Sequence, residues 1–458
     1  MDRTGNADHE SIASTKLEQR REAGIEWRRR VTLETLAHWQ PSHDRRDPVD
    51  ILIEQGTTRI PELLPMRYAR MKTDPFAFLR GSAAVMAADL GAMPATGLRV
   101  QSAGDCHHAN FGAYASPEGK PVFDINDFDE TLPAPFEWDV KRLTASLVVS
   151  GRVAHMPEPD CRHLARLAAR NYRRSMARLA QMPPLEAWGT QIDLTAAIAD
   201  VDSDKIRRNL EKRLATILKS TKEHFGLVER HANGSRLKEK PPLVHHLSRH
   251  ELHAKEAFAS YAKSLQEDRR VLLRRYHLRD VAFKVVGVGS VGTFCAISLL
   301  TSDDDAPLLL QIKEAQESVL APYAGASEYN NHGQRVVVGQ RMLQAATDIF
   351  LGWTEAQVNS RYFYVRRLKD SRLANVGARL AAALPFYAAL CGRTLARAHA
   401  RAGDAVAISA YIGEGNDFDK AIADFAVAYA DQTERDWRAL LDAIDAGRIS
   451  ARESPASA

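Results

Sequence analysis

The sequence predicts an α/β protein, of the α+β type, with a helix-rich large lobe and a small antiparallel β lobe. Two observations lead to this fold class. Apolar residues recur at helical spacing over long stretches on both sides of a central segment, whereas residues 275–370 contain β-branched and aromatic runs separated by glycines. The length of 458 residues also exceeds the roughly 250–300 residues that one hydrophobic core usually supports. We therefore expect at least two lobes.

The first half of the chain is predicted to place two short strands ahead of long helices. Residues 98–101 and 121–123 have the composition of short strands that bracket a hairpin with acidic loops at its ends. After Trp138 the apolar residues take helical spacing through Met182, and residues 184–280 are again mostly helical in pattern. The acidic loops therefore lie at strand ends.

The small lobe is predicted from the pattern that follows. Three strand-like runs around a glycine-rich turn indicate an antiparallel sheet, because short connections join antiparallel neighbours. A helix, a fourth strand and two long helices complete the chain. In order, these seven elements cover residues 281–286, 293–300, 307–313, 333–346, 362–368, about 375–402 and 417–447.

Composition and charge argue against several classes of protein. Lys and Arg total 62 against 58 Asp and Glu, and this net charge of +4 gives no reason to expect a nucleic-acid partner. The four cysteines form no CxxC pair, which is typical of reduced cytoplasmic thiols and not of zinc fingers or disulfide frameworks. Arg379 and Pro385 interrupt the most apolar stretch, so we expect a buried helix there and no membrane span.

Two acid-rich loops near the front of the chain have the residue types of a magnesium and phosphoryl-transfer site. Asp105 is followed five residues later by Asn110, so one loop can place a carboxylate at an acceptor hydroxyl and an amide oxygen on a metal. Asp127 and Asp124, in the second loop, are expected to supply further hard oxygen ligands for Mg²⁺. His107 is expected to orient the first loop at the catalytic position.

A glycine-rich turn far downstream has the composition of a phosphate-binding turn. Gly287, Gly289, Ser290 and Gly292 lie between two predicted strands, whereas a dinucleotide-binding fold would begin a helix at the last glycine. Lys313 ends the third strand about twenty residues later, where it can bind phosphates. The turn and the lysine together predict an ATP site.

Four arginines, Arg59, Arg67, Arg70 and Arg80, precede the first acidic loop. Arginine binds phosphate bidentately, and it also pairs with carboxylates for purely structural reasons. The sequence leaves both roles open for each of the four.

The first acidic loop resembles the catalytic loop His-Gly-Asp-Leu-His-x-x-Asn of aminoglycoside and choline kinase-type phosphotransferases. Residues 104–110 match this pattern at Gly, Asp, the second His and Asn, and Ala103 replaces the first His. Residues 126–129, Asn-Asp-Phe-Asp, resemble the metal-binding segment of that family, and Asp139 resembles its downstream capping Asp.

This resemblance implies a protein kinase-like fold that binds ATP and Mg²⁺. Carried over residue by residue, it makes Asp105 the catalytic base and Asn110 and Asp127 the magnesium ligands. It also leaves the acidic partner of Lys313 open, because Glu314 faces the opposite side of the strand and Glu317 and Glu328 are the alternatives.

The chain as a whole, about residues 20–440, is similar to a family of uncharacterised bacterial proteins known as domain of unknown function 2252. That family is assigned to the kinase-like superfamily and has no known substrate. The matching segments are residues 67–71, 74–81, 104–112, 127–132, 287–292, 311–315, 339–341 and 396–401.

The order of the motifs differs from that of ordinary kinases, in which the glycine turn and the lysine precede the catalytic loop. Here they follow it, which implies a circularly permuted kinase-like fold. We expect six segments: an N-terminal arm at 1–56, the catalytic-loop part of the large lobe at 57–150, a helical insert at 151–274, the small nucleotide-binding lobe at 275–370, C-terminal helices completing the large lobe at 371–448, and a tail at 449–458.

The leading hypothesis is an ATP- and Mg-dependent phosphotransferase that acts on an unknown small-molecule or protein acceptor. Transfer of the nucleotidyl group is an alternative within the same fold. A metal-dependent phosphoesterase built on both acidic loops and a non-catalytic nucleotide sensor are alternatives from other classes.

Overall fold

We analysed a computed structural model of the chain, which is a mixed α/β protein with antiparallel sheets. The structure describes residues 17–222, 226–231, 234–241, 244–246, 254–284, 289, 291–356, 361–368 and 381–452.

Helices account for most of the regular structure. Ahead of the first strand are α1 (Leu17–Arg30), α2 (Leu33–Ala37), α3 (Pro48–Gly56), α4 (Leu64–Met71), α5 (Pro75–Gly81) and α6 (Ala83–Gly91). The middle of the chain forms α7 (Phe136–Val153), α8 (Glu158–Leu179), α9 (Pro184–Gly189), α10 (Leu194–Ala199), α11 (Asp204–Lys222), α12 (Ala254–Lys263) and α13 (Glu267–Leu273). The last part forms α14 (Ala321–Ala324), α15 (His332–Leu343), α16 (Leu384–Ala402), α17 (Ala405–Ile412) and α18 (Asp417–Asp445).

Among the described residues, the strands form one large sheet and three two-stranded ribbons. The strands before α7 are β1 (Arg99–Ser102), β2 (Phe111–Ala115), β3 (Pro121–Ile125) and β4 (Leu132–Pro135). The later strands are β5 (Val228–His231), β6 (Gly234–Leu237), β7 (Val244–His246), β8 (His277–Lys284), β9 (Cys295–Thr301), β10 (Pro307–Ala315), β11 (Gly352–Ala356) and β12 (Arg361–Arg367).

The large sheet has six strands in the order β11-β12-β10-β9-β8-β7, and the pairings are antiparallel. The small antiparallel β lobe predicted from the sequence is therefore confirmed as a sheet. All seven residues of β9 are buried, since its two faces are covered, and this explains its continuous apolar run. Lys313 lies near the end of β10 and pairs in register with Tyr364 of β12.

The two strands predicted to bracket one hairpin do not pair with each other. β1 pairs with β4, and β3 pairs with β2, so the acidic loops connect two separate ribbons. Residues 151–274, expected to be helical, also contain β5, β6 and β7. β7 is only three residues long and becomes a strand through its pairing with β8, which a local pattern does not reveal.

The helices pack around a buried core behind the acidic loops. α7 and α16 both pack against α8, and α18 covers α7 and α8. The spacing that predicted α7 places Leu143 and Leu147 in this core, at 1% and 0% exposure. In the described part of the chain, no helix combines the length and apolarity needed to cross a membrane.

α15 connects the helical core and the sheet. It packs against β10, β11 and β12 on one side and against β1 and α16 on the other. At Gly339 a Cβ atom would lie 2.5 Å from the Thr131 side chain, so the helix lies directly against the loop that precedes β4. The position of the sheet relative to the acidic loops is thus set by a buried helix.

Candidate functional site

A cleft of about 780 Å³ separates the sheet from the acidic loops and the N-terminal helices. Three groups of residues line it. The acidic loops contribute Asp105, His107, Asn110, Asn126, Asp127, Asp129 and Glu130; the sheet side contributes Lys284, Gly289, Gln311, Lys313 and Arg366; and the N-terminal helices contribute Arg59, Arg70 and Arg80. Residues far apart in the chain therefore meet in one cavity.

The first acidic loop is held from behind by Asp139, the first-turn acid of α7. Its carboxylate accepts hydrogen bonds from the backbone N–H groups of Ala103 (2.7 Å) and Gly104 (3.0 Å), so Asp139 caps the start of this loop. His399 of α16 lies 3.1 Å from the same carboxylate. Gly104 has φ +83°, and a Cβ atom there would lie 2.3 Å from the Glu130 carbonyl oxygen, so only glycine fits where the two loops meet.

Asp105 is paired with Arg142, a buried residue of α7. The guanidinium Nε donates to Asp105 Oδ1 at 2.6 Å, and its NH2 group also donates to the Leu79 carbonyl oxygen at 2.8 Å. Burial raises the pKa of Asp105, although the charge of Arg142 opposes this shift. The pair fixes the carboxylate at the rim of the cleft, where it can accept a proton from a bound hydroxyl.

Asn110 and His107 shape the rest of the loop. The Asn110 amide donates from Nδ2 to the Asp105 carbonyl oxygen at 2.8 Å, so its oxygen is the end that can accept a cation. His107 Nε2 lies 3.7 Å from Asp105 Oδ2. Burial, together with the charges of Arg80 and Arg142, lowers the pKa of His107 well below its ordinary value, which makes a neutral positioning role the consistent one.

The second acidic loop meets Lys313 across the cleft. Lys313 Nζ lies 2.6 Å from Asp129 Oδ2 and 3.4 Å from Asp127 Oδ1, and the Tyr364 hydroxyl donates to Asp129 Oδ1 at 2.6 Å. The partner of Lys313 is therefore Asp129 together with Asp127, not Glu317 or Glu328. Local sequence patterns could not reveal this contact, because Lys313 and Asp129 are 184 residues apart in the chain.

The pKa values of Asp127 and Asp129 are shifted in opposite directions. Burial opposes ionisation of Asp129, but Lys313 outweighs it and lowers the pKa of Asp129 to about 2. Burial and the charge of Asp129 raise the pKa of Asp127 above its ordinary value. A cation bound at Asp127 would relieve this cost, and an amide and a carboxylate oxygen suit Mg²⁺.

The glycine turn is attached to the N-terminal helices by Arg59. Its guanidinium donates to the carbonyl oxygens of Gly289 (2.9 Å) and Val291 (2.7 Å), and the Ile60 N–H donates to the Gly292 carbonyl oxygen at 2.7 Å. Gly292 has φ +91°, a conformation that favours glycine. The predicted phosphate-binding residues Gly287 and Ser290 lie outside the described residues, whereas Gly289 lines the cleft.

Asp124, expected to be a metal ligand, lies in a different environment. It is 2% exposed, does not line the cleft, and forms a buried ion pair with Arg397 of α16, whose NH2 group lies 2.5 Å from Asp124 Oδ1. The Ile125 N–H also donates to the same oxygen at 2.9 Å. Because β3 directs alternate residues to opposite faces, Asp124 points into the core while the acids beyond the strand end face the cleft.

The arginines before the first acidic loop separate into structural and cleft-facing groups. Arg67 is completely buried and donates to Gln55 Oε1 and the Gly81 carbonyl oxygen, so it is structural. Arg59, Arg70 and Arg80 line the cleft.

Several residues that build the site were not predicted from the sequence. Arg142 had a signal, since a cation within an apolar helix needs a buried partner. Arg335 of α15 donates to the carbonyl oxygens of Asp129, Thr131 and Gln316 at 2.6–2.8 Å and so ties the second loop to the end of β10. Arg366 donates to the Asn126 carbonyl oxygen at 2.7 Å, and strand alternation could have placed it beside Tyr364.

Glu130 is expected to make stability depend on pH. Burial raises the pKa of Glu130 to about 7, although a hydrogen bond from the Val319 N–H acts to lower it. The unfolded chain releases this proton at an ordinary, lower pH. The protonated Glu130 carboxyl therefore contributes stability in acid, and this contribution is lost as the pH rises toward 7, by at most about 3 kcal/mol. Urea unfolding at pH 5 and pH 8 should show a smaller difference for Glu130→Gln than for the parent. The exposed Glu62→Gln is the control, and an equal difference in all three proteins would contradict the prediction.

Within the described residues, no group of three or more His, Cys, Asp and Glu side chains is arranged to hold a metal ion. Mg²⁺, however, is usually bound by one or two carboxylates together with substrate phosphates. All four cysteines are free and buried.

Comparison with known proteins identifies one family. No curated protein and no solved structure matches the chain significantly. A family model for uncharacterised proteins conserved in bacteria, domain of unknown function 2252, matches residues 59–443, which include both acidic loops, the glycine turn, Lys313 and α16. The chain therefore belongs to this bacterial family.

Proposed function

We propose that the protein is an ATP- and Mg-dependent phosphotransferase with a kinase-like fold in circularly permuted order. One observation carries the proposal. Lys313 of the sheet meets Asp127 and Asp129 of the second acidic loop at 3.4 and 2.6 Å, in the same cleft as Asp105, Asn110 and Gly289. A lysine, a magnesium carboxylate and a base at one cavity are the parts that phosphoryl transfer uses.

Each part has a role in the proposed site. Gly289 and its neighbours would let backbone groups approach the phosphates, and Lys313 would exchange its contact with Asp127 for one with a phosphate oxygen. Asn110 and Asp127 would hold Mg²⁺, which supplies charge neutralisation at the phosphate oxygens when bound. Asp129 remains on Lys313 and Tyr364 and keeps the lysine oriented.

The chemical step follows from the position of Asp105. An acceptor hydroxyl oxygen forms a bond to the γ-phosphorus, the bond from that phosphorus to the β–γ bridging oxygen breaks, and ADP leaves. The hydroxyl proton passes to the Asp105 carboxylate, whose pKa burial raises above its ordinary value. Nucleotidyl transfer at the same residues would instead release pyrophosphate, so product analysis distinguishes the two reactions.

Contacts of α16 support the permuted order. This helix lies near the end of the chain, yet its Arg397 and His399 bind Asp124 and Asp139, the residues behind the two acidic loops. In the kinase-type family that the first loop resembles, the corresponding helix leads into the catalytic loop. A helix that contacts both acidic loops and yet follows them in sequence is what a circular permutation would produce.

The test is the change in melting temperature on adding ATP with Mg²⁺. A ligand that binds only the folded state stabilises it by about 2.7 kcal/mol at 100 times its Kd. We expect an upward shift that requires Mg²⁺ and that disappears in Lys313→Ala and in Asp127→Ala, each compared with its own melting temperature without ligand. Lys120→Ala, an exposed lysine in the turn between β2 and β3, should keep the full shift.

The contrary results are also specific. No shift with ATP would exclude the nucleotide site. A shift with a divalent metal alone, dependent on Asp127 and independent of Lys313, would favour a metal-dependent phosphoesterase. An ordinary ATP shift without transfer to any acceptor or to water would favour a nucleotide sensor.

A further inference from the structure

Arg80 has an unusual position at the junction of three parts of the cleft. It lies in the last turn of α5, a helix capped by Asp74, whose carboxylate accepts from the Ala77 N–H at 2.7 Å. A Cβ atom at Gly289 would lie 3.1 Å from the Arg80 carbonyl oxygen, so Gly289 lies directly against the backbone of this residue. The side chain lines the cleft together with Asp105 and Asp127.

One donor of the Arg80 guanidinium has no acceptor. Its Nε is buried without a hydrogen-bond partner, and the guanidinium carbon lies over the Phe76 ring, 5.9 Å from the ring centre. Two other arginines of the cleft have acceptors: Arg46 pairs with Glu54, and Arg59, whose Nε is also buried without a partner, donates through NH1 to two carbonyl oxygens. A buried donor left without an acceptor is costly, and a bound anion would supply the missing acceptor.

The charges around Arg80 indicate where a bound anion would lie. Burial lowers the pKa of Arg80, while the charges of Asp105, Asp74 and Asp127 oppose the shift. Arg80 thus lies within electrostatic reach of both the proposed base and the proposed magnesium carboxylate, beneath the glycine turn. An anion at this point would be close to all three, and a phosphoryl group matches the planar donors of arginine.

We propose that Arg80 binds the γ-phosphoryl group of ATP and is a catalytic residue that neutralises its charge during transfer. The assignment rests on the proposed function and deepens it. Arginines that neutralise the transferred phosphoryl group raise kcat by about 10³- to 10⁵-fold in other phosphotransferring and nucleotide-hydrolysing enzymes. In this chain the arginine comes from the N-terminal helices, outside the motifs shared with ordinary kinases.

The test compares ATP and ADP, which differ by the γ-phosphoryl group alone. Calorimetric titration with Mg²⁺ should show that Arg80→Ala weakens ATP binding by about 10- to 100-fold, as expected for loss of a charge-assisted hydrogen bond, and leaves ADP binding within about twofold. Arg80→Lys should recover part of the ATP affinity, because a point charge remains but the bidentate geometry is lost. Arg46→Ala, a cleft arginine paired with Glu54, should change neither affinity.

Three results would overturn the assignment. Equal weakening of ATP and ADP binding would place Arg80 on another part of the nucleotide. Unchanged affinities for both nucleotides would show that Arg80 does not contact the γ-phosphoryl group, as would be the case for an arginine that binds an anionic acceptor. Failure of the parent protein to bind either nucleotide would overturn the proposed function as well. Melting temperatures of Arg80→Ala and Arg80→Lys without ligand separate a folding defect from a binding defect.

Discussion

Replacing Asp105 with Asn is expected to lower kcat for phosphoryl transfer by about 10²- to 10⁴-fold, the usual contribution of a positioned general base. Asn keeps an oxygen that can accept from Arg142 but cannot take the proton of the acceptor hydroxyl. Slow release of phosphate from ATP, with water as the acceptor, provides the readout before a natural acceptor is found. ATP affinity should remain within about twofold of the parent, since Asp105 is proposed to contact the acceptor and not the nucleotide.

The loss of a charge next to buried Arg142 gives this variant a second, separate effect. Its stability should fall, because the guanidinium remains in the core with a neutral partner. Assays therefore belong at a temperature where unfolding curves show the variant to be fully folded. Loss of turnover and of ATP binding together in folded protein would exclude the role of Asp105 as a base, and so would unchanged turnover.

Replacing Asp124 with Asn is expected to lower the free energy of unfolding by about 3–5 kcal/mol, the usual cost of breaking a buried ion pair by removing one charge. The side chains of Arg397 and Asp124 are 2% and 4% exposed, so no solvent replaces the lost partner. Equilibrium unfolding in urea measures this loss. The shift in melting temperature with ATP and Mg²⁺ should survive at temperatures where the variant is folded.

Asp127→Asn is the matched control, since it also replaces a buried acid next to a cation. Asp129 remains on Lys313, and burial already disfavours the charge of Asp127, so the stability should change little. The magnesium-dependent shift should disappear. If Asp124→Asn is instead stable and has lost the magnesium-dependent shift in melting temperature, Asp124 would be a metal ligand after all.

Hydrophobic patterns in the sequence predicted those helices and strands whose burial follows a regular period along the chain. The apolar runs that became β9 and β10 and the helical spacing of α7 and α18 are of this kind. β2 was missed, because Phe-Gly-Ala-Tyr-Ala contains no β-branched residue and is a strand only through its pairing with β3. The pairing of β1 with β4 was missed for a similar reason, since register depends on tertiary contacts.

The candidate site was predicted in its residue types but not in its partners. Asp105, Asn110, Asp127 and Lys313 do line one cleft, as their motifs indicated. Asp124 has the same chemistry as Asp127 in the sequence, and only the direction of its side chain from β3 separates the two. Three arginines act through contacts with residues that are distant in the chain: Arg142, Arg335 and Arg397. Sequence spacing does not predict such contacts.

The dependence of both acidic loops on α16 has a consequence for the protein during its synthesis. Arg397 and His399 leave the ribosome about 290 residues after Asp105, which corresponds to roughly 15–60 s at 5–20 residues per second. Until then Asp124 and Asp139 lack their cationic and imidazole partners, and β1 and β3 lack the helix that packs on them. The two acidic loops therefore complete their contacts only after α16 has been synthesised, and a nascent chain stalled before α16 would hold the acidic loops and Lys313 without the helix that supports the loops.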